Sequence, residues 1–298
     1  MDLKAIDFHT HPQTEEMLRA KGHRRAQMAQ YFGQERKAVT FDEMAEHFRS
    51  RAMQAVILNS DDETTSGNPP APNDALAQAQ QDHPDVFIAF ASIDPWKGAA
   101  AVREIARCHE ELGVRGIGEL NPGRQHFHPN DPHFYPIWEE CQRRGLIVLF
   151  HTGMLGAGAG TPGGMGFKMK YAKPIPGIDD IAADFPELQI VAAHPAWPWQ
   201  SEALAMARHK SNIWIDLSGW APKYFPPELV QYTNSLISDR VLFGTDWPAI
   251  DSDRYMEEFA ALPLKDAVRQ KVLLENARRL LAMPAPGSTA PAPTDGGG

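Results

Sequence analysis

The sequence predicts an α/β protein folded as a closed (β/α)8 barrel, the TIM barrel, on three observations. Short apolar runs alternate eight times with segments of helical periodicity, several of the runs are apolar throughout, and polar residues recur where the runs end. The first two call for parallel strands beneath helices, because a strand covered on both faces has no polar side to alternate. An open doubly wound sheet would alternate in the same way. The third observation decides for the barrel, where all strand ends meet at one mouth.

The elements follow in order. Strand patterns occupy Ala5–His11, Gln54–Ser60, Phe87–Asp94, Val114–Leu120, Leu146–Thr152, Leu188–His194, Ile213–Ser218 and Val241–Asp246. The runs Ile147-Val148-Leu149-Phe150 and Ile190-Val191-Ala192-Ala193 are the clearest continuous apolar cores. Helical periodicity marks Phe41–Arg49, Asn73–Asp82, Ala99–Leu112, Phe134–Arg144, Ile178–Asp184, Trp199–Lys210, Glu228–Ile237 and Lys265–Ala282. Pro12–Thr40 and Gly153–Gly177 interrupt the alternation after the first and fifth strands, where a barrel extends its active-site loops, and are candidate lids. Residues 1–283 thus form one barrel domain. Residues 284–298 are almost entirely Pro, Ala, Gly, Ser and Thr, a composition that buries too little surface to order itself, and are expected to be a disordered tail.

Bulk properties narrow the partners. With 38 acidic and 29 basic side chains the net charge is −9, which opposes binding to nucleic acid and to anionic membranes and favours a small-molecule substrate. The N-terminal residues lack the apolar core of a secretory signal, and no apolar run approaches the roughly 20 residues of a membrane span. Only Cys108 and Cys141 are present, both in helical patterns, which speaks against a disulfide framework. The expected compartment is the cytoplasm, and the sequence leaves room for a homo-oligomer.

His9 and His11 lie two apart at the end of the first strand, so the period of two sends both side chains to one face. His151, His194 and Asp246 end the fifth, sixth and eighth strands, and a barrel brings all these ends together. Buried separately, such groups are costly; a divalent metal coordinating imidazoles and a carboxylate removes that cost. The competing account is that each is a hydrogen-bonded core residue.

The motifs Ile6-Asp7-Phe8-His9-Thr10-His11-Pro12, Phe150-His151-Thr152-Gly153, Ala193-His194-Pro195 and Leu242-Phe243-Gly244-Thr245-Asp246-Trp247-Pro248 together resemble the amidohydrolase superfamily. Within it they are similar to the amidohydrolase-2 group, which includes aminocarboxymuconate semialdehyde decarboxylase and resorcylate-type decarboxylases. The resemblance spans about residues 4–282. It implies one catalytic divalent metal, zinc first with manganese as the alternative, held by His9, His11, His151 and Asp246, with His194 as a proton-transfer residue. Many members carry a carboxylated lysine at the end of strand four. This chain has Glu119 there, in Gly118-Glu119-Leu120, which speaks against a lysine-bridged metal pair and leaves Glu119 as either a ligand or a group that orients one.

Such a metal serves two reactions: activating water for hydrolysis, with Asp246 or His194 handling the proton, or holding a carboxylate during decarboxylation. Lys168, Lys170 and Lys173, with Tyr171 among them, follow strand five, and Arg124, His126 and His128 follow strand four; as cations near the mouth they suggest an anionic substrate. Trp197 and Trp220 lie just beyond strands six and seven, where an aromatic substrate packs. The segments around these two residues resemble a hydrolase subgroup acting on 4-hydroxyphenyl-β-ketoacyl-CoA, which implies carbon–carbon bond hydrolysis of a CoA thioester. The first expectation is therefore a metal-dependent hydrolase. Its alternatives are a non-oxidative decarboxylase of an aromatic or unsaturated acid and a non-catalytic ligand-binding barrel. The glycine-rich Gly156–Gly160 lacks the spacing and following helix of a phosphate loop and is read as a loop.

Overall fold

The structure is a computed structural model that describes residues 2–22, 24–33, 37–70 and 72–282. The expected tail at 284–298 lies outside the described residues, as do Met1 and Met283 of the expected barrel domain. Eight strands run β1 Ala5–Thr10, β2 Met53–Ile57, β3 Phe87–Ala91, β4 Gly116–Leu120, β5 Ile147–His151, β6 Ile190–Ala193, β7 Ile213–Asp216 and β8 Val241–Leu242. Each pairs in parallel with the next, in the order β1 to β8. The ring closes through the Phe8 N–H to the Phe243 carbonyl at 2.9 Å and a parallel bridge between Thr10 and Trp247. The strand residues are buried throughout, as parallel strands under helices require.

The core is continuous from strand to helix, with Phe8, Phe48, Phe87, Phe90, Trp138, Phe150, Phe243, Tyr255 and Phe259 fully buried. Gly116 is required where β3, β4 and β5 meet: a Cβ there would lie 2.5 Å from the Phe90 ring and 2.7 Å from the Ile147 carbonyl oxygen. Helices cover the sheet at Phe41–Arg49, Asn73–Asp82, Ala99–Glu110, Tyr135–Arg143, Gly177–Asp184, Gln200–His209 and Pro227–Thr233. Local chemistry starts several of them; Thr40 and Glu43 form a reciprocal capping box before Phe41.

Three differences from the sequence reading matter. The expected first lid is helical in its described part, at Glu15–Ala20 and Arg24–Phe32. A helix at Ser252–Ala260, capped by the Asp251 carboxylate, was not read from the sequence. The expected strand Val241–Asp246 keeps only its first two residues as ladder, because Thr245 turns its N–H and hydroxyl to the Asp7 carboxylate (2.9 and 2.6 Å). The Phe243 N–H is taken by the Val272 carbonyl, in a π turn at Lys271–Glu275 that interrupts the last helix. This departure from the ladder sets Asp246 beside His9, with the Asp246 N–H on the His9 carbonyl at 2.9 Å.

Candidate active site

At the C-terminal ends of the strands the polar residues do converge. His9 is fully buried and donates from Nδ1 to Asp216 Oδ2 at 3.0 Å, at the end of β7. His11 donates from Nδ1 to the Leu58 carbonyl at 3.2 Å, just past β2. With both Nδ1–H groups committed, the neutral rings would turn Nε2 lone pairs towards each other, at 3.2 Å. Nitrogens sharing one cation at about 2.0–2.1 Å sit roughly 3.0–3.4 Å apart, so the pair has the spacing of two ligands to one ion. Asp246 Oδ1 lies 3.3 Å from His11 Nε2 and 4.0 Å from His9 Nε2.

The third imidazole follows the same pattern. His151 donates from Nδ1 to Glu119 Oε1 at 2.7 Å, and its Nε2 is buried with no hydrogen-bond partner. A buried ring nitrogen without a partner costs free energy unless a ligand takes its lone pair. Imidazoles anchored through Nδ1 by a carboxylate or carbonyl, with Nε2 left open, are the arrangement in which histidine binds divalent metal. Ligand atoms of His9, His11 and Glu119, of Glu119, His151 and His194, and of His9, His194 and Asp216 lie within 4.8 Å of one another, and Asp246 adjoins His9 and His11, so a divalent metal could be held in this cluster.

The charges agree. Burial pulls His9 down, but the carboxylates of Asp216, then Asp246 and Glu119, raise it to about 9. Burial opposes ionisation of Asp246, yet the His11 hydrogen bond and the surrounding imidazoles bring it to about 2. Glu119 is likewise held well below the usual carboxylate range, against burial, by the hydrogen bond from His151, then by His194 and Arg124. The carboxylates thus remain charged and call for compensating positive charge at this point, which a proton or a divalent cation supplies.

His194 adjoins the same cluster, its ring centre 5.0 Å from that of His9. Its Nδ1 is 2.9 Å from Ser218 Oγ, and its Nε2 is 3.1 Å from His151 Nδ1 and 3.5 Å from Glu119 Oε1. Both His194 (φ +72°) and Asp246 (φ +62°) adopt the left-handed backbone region, which costs non-glycine residues roughly 1–3 kcal/mol and concentrates at functional sites.

A cavity of about 860 Å³, counted to its open mouth, lies over this cluster and is lined by His11, Glu119, His151, His194 and Asp246. Its remaining wall carries Ser60, Asn59, Asn121 and Arg124, with Lys21, Arg25, Leu18 and Met28 from the first insertion and Leu155 to Ala157 from the second. The two insertions are joined above it: the Gln27 amide donates to the Ala159 carbonyl at 3.3 Å and accepts the Gly158 N–H at 2.9 Å. A second lobe, of about 500 Å³, shares His151, His194 and Asp246 and is walled by Tyr31, Met154, Gly219 and Trp220.

Of the expected substrate-binding residues, Trp220 borders a lobe, whereas Lys168, Lys170, Tyr171 and Trp197 line neither. Tyr171 packs on His128 at 4.4 Å between ring centres, with the Lys170 ammonium 4.7 Å over its ring, and Trp197 is 44% exposed, 6.1 Å from Trp220. Lys173 is paired to Glu202 at 3.1 Å. Of the expected cations Arg124 lines the cavity, and Lys21 and Arg25 from the first insertion join it there. Sequence reading passed over Asp216, Ser218, Ser60 and Asp7. Asp216 met the strand-end criterion used for the others, whereas Ser60 and Ser218 matter through contacts that no spacing reveals. Asp7, raised to about 7 by burial against its hydrogen bonds from Thr245, braces the segment that follows β8.

Comparison with known proteins places the chain among relatives. A family profile described as Amidohydrolase matches residues 6–283. A gamma-resorcylate decarboxylase from Rhizobium radiobacter is 26% identical over 255 residues, covering 71% of this chain and 75% of the relative. An uncharacterised TIM-barrel protein from Bordetella bronchiseptica superposes with a TM-score of 0.74 at 26% identity, covering 93% of this chain and 98% of the other. A dihydroxybenzoic acid decarboxylase from Polaromonas sp. JS666, solved with bound manganese, superposes with a TM-score of 0.67 at 20% identity over 94% of this chain and 97% of the other.

Proposed function

The chain belongs to the amidohydrolase family, and from that premise we propose that it is a metal-dependent decarboxylase of a small aromatic carboxylic acid. The sequence put hydrolysis first and decarboxylation second. Gamma-resorcylate decarboxylases from three genera, at 24–27% identity over most of the chain, support reversing that order. The observation that carries the reading is the set of Nδ1-anchored imidazoles at the floor of a cavity with a cationic wall. A carboxylate substrate matches that floor and that wall together.

In this reading His9, His11, His151 and Asp246 hold one divalent metal, and Glu119 orients His151 through its 2.7 Å hydrogen bond. Imidazole and carboxylate ligands suit zinc or manganese alike. Such an ion, when bound, would supply Lewis-acid polarisation of an anionic substrate. Arg124 draws the anion into the cavity, and the second lobe receives apolar or aromatic substrate surface against Trp220. Decarboxylation requires a proton at the carbon that bears the carboxyl group. His194, bordering both lobes, delivers it; the carbon–carbon bond then breaks, its electron pair remains with the ring, and carbon dioxide leaves.

Two variants test the division of roles. His9→Ala is expected to lower bound metal and turnover together, whereas His194→Ala is expected to keep its metal and lose turnover by roughly 100-fold or more, the scale of a positioned proton donor. Metal analysis with carbon dioxide release from hydroxybenzoic acids reads both. Equal metal loss in the two variants would overturn the role given to His194.

A further inference from the structure

We propose that Ser218 and Gly219 form a slot that holds the His194 ring in a single orientation, with an Nδ1–H donated to Ser218 Oγ and Nε2 as the nitrogen left for the substrate's proton. This inference rests on the reading of His194 as the proton carrier. Its physical basis is a count of donors and acceptors.

Asp216 Oδ1 already accepts the Ser218 N–H at 2.9 Å and the His194 N–H at 3.4 Å, while Oδ2 accepts His9 Nδ1–H at 3.0 Å. The carboxylate is on the accepting side in each case. Ser218 Oγ makes a very short contact to the same Oδ1, so its one hydroxyl proton is committed there. Towards His194 the hydroxyl then has only a lone pair to offer. A ring nitrogen 2.9 Å from that oxygen must be a donor, so the His194 proton resides on Nδ1. At the other end of the ring, His151 has committed its own Nδ1 proton to Glu119 Oε1 at 2.7 Å. His194 Nε2, 3.1 Å from that Nδ1 and 3.5 Å from Glu119 Oε1, is the ring nitrogen whose proton the slot does not fix.

Gly219 supplies the second constraint. A Cβ at this position would lie 2.5 Å from His194 Nδ1 and 3.0 Å from Cε1, so the ring rests directly on the glycine backbone. Its φ of +77° is one that other residues adopt only with strain. The hydroxyl fixes the proton and the glycine fixes the plane. Because Asp216 also holds His9, one carboxylate anchors both a metal-holding imidazole and, through Ser218, the proton carrier. Ser218 is accordingly a positioning residue.

The test uses the zinc-loaded enzyme with Ser218→Ala and, independently, Gly219→Ala, which keeps the hydroxyl but crowds the ring. Nitrogen-15 NMR of the histidine side chains, with His194 assigned from its loss in His194→Gln, reads the tautomer directly and needs no turnover. Wild type is expected to show the Nδ1–H form and Ser218→Ala a mixture. Both slot variants are expected to lose roughly 10- to 100-fold in kcat, with KM and bound zinc within about twofold, since part of a proton donor's contribution depends on its orientation. A Ser218→Ala protein with an unchanged His194 spectrum and kcat would overturn the slot. So would a fall in bound zinc matching the fall in kcat, which would mean that Ser218 acts through Asp216 on His9. If wild type released no carbon dioxide from any acid, the reaction would be misread while the tautomer remained measurable.

Discussion

Arg124 shows how one side chain can face two ways. Its Nη2 donates to Ser60 Oγ at 2.5 Å and lies 3.3 Å from Glu119 Oε2, while its Nε–H is buried without a partner among the described residues. An unsatisfied cationic N–H on a cavity wall is matched by an incoming carboxylate or phenolic oxygen. A hydrogen bond to a charged group contributes about 1.5–3 kcal/mol, so Arg124→Met is expected to raise KM roughly 10- to 100-fold with a smaller change in kcat and unchanged bound metal. Steady-state kinetics with a hydroxybenzoic acid checks this, and an unchanged KM would remove Arg124 from substrate recognition. The sequence placed this residue only in a diffuse field of cations after strand four. It could expose His9, His11, His151, His194 and Asp246, because a strand end is a position that periodicity locates. It could not show that Lys168 and Lys170 are absent from the cavity lining while Lys21 and Arg25 belong to it, since a loop's course depends on packing across the chain.

Element boundaries repeat the lesson on a larger scale. The helices Phe41–Arg49 and Asn73–Asp82 were legible to the residue and the strand cores to within one or two, because helical periodicity and burial on both faces leave a local signature. Strand ends other than that of β4 were read one to four residues too far, since the segments beyond them stay buried while leaving the ladder to place functional groups. Contacts between elements were not legible at all, and Glu104 is a clear instance. From the helix Ala99–Glu110 it accepts from Asn73 at 2.8 Å, whose amide in turn spans both backbone groups of Ser92 after β3. The hydrogen bond from Arg107 leads in holding its carboxyl at about 2, with burial opposing and Asn73 and Cys108 assisting. A folded value depressed below the ordinary 4.5 means stabilisation that is complete above about pH 4.5 and lost as pH falls towards about 2. Glu104→Gln is therefore expected to lower Tm near pH 7, with a gap to wild type that narrows by about pH 3.5. Thermal unfolding at the two pH values checks it, and a gap that widens in acid would contradict the assignment.

The whole molecule explains why residues from 9 to 246 act together. Eight parallel strands in sequence order turn their C-terminal ends to one mouth, and the two insertions, latched by Gln27, roof it. Around a chain of net charge −9, the cations lining the cavity give an anion a favourable place to bind. Among the described residues no helix is long and apolar enough to cross a membrane. Hydrolysis and decarboxylation would use the same anchored imidazoles, so the products must distinguish them. The most direct measurement is mass spectrometry of the organic product formed by the metal-loaded enzyme from hydroxybenzoic acids and aryl β-keto thioesters in oxygen-18 water. The expected result is an acid converted to the product lacking its carboxyl group, with carbon dioxide released, no heavy oxygen in the organic product, and no reaction after chelation. A new carboxylate carrying oxygen-18, without carbon dioxide, would contradict the account.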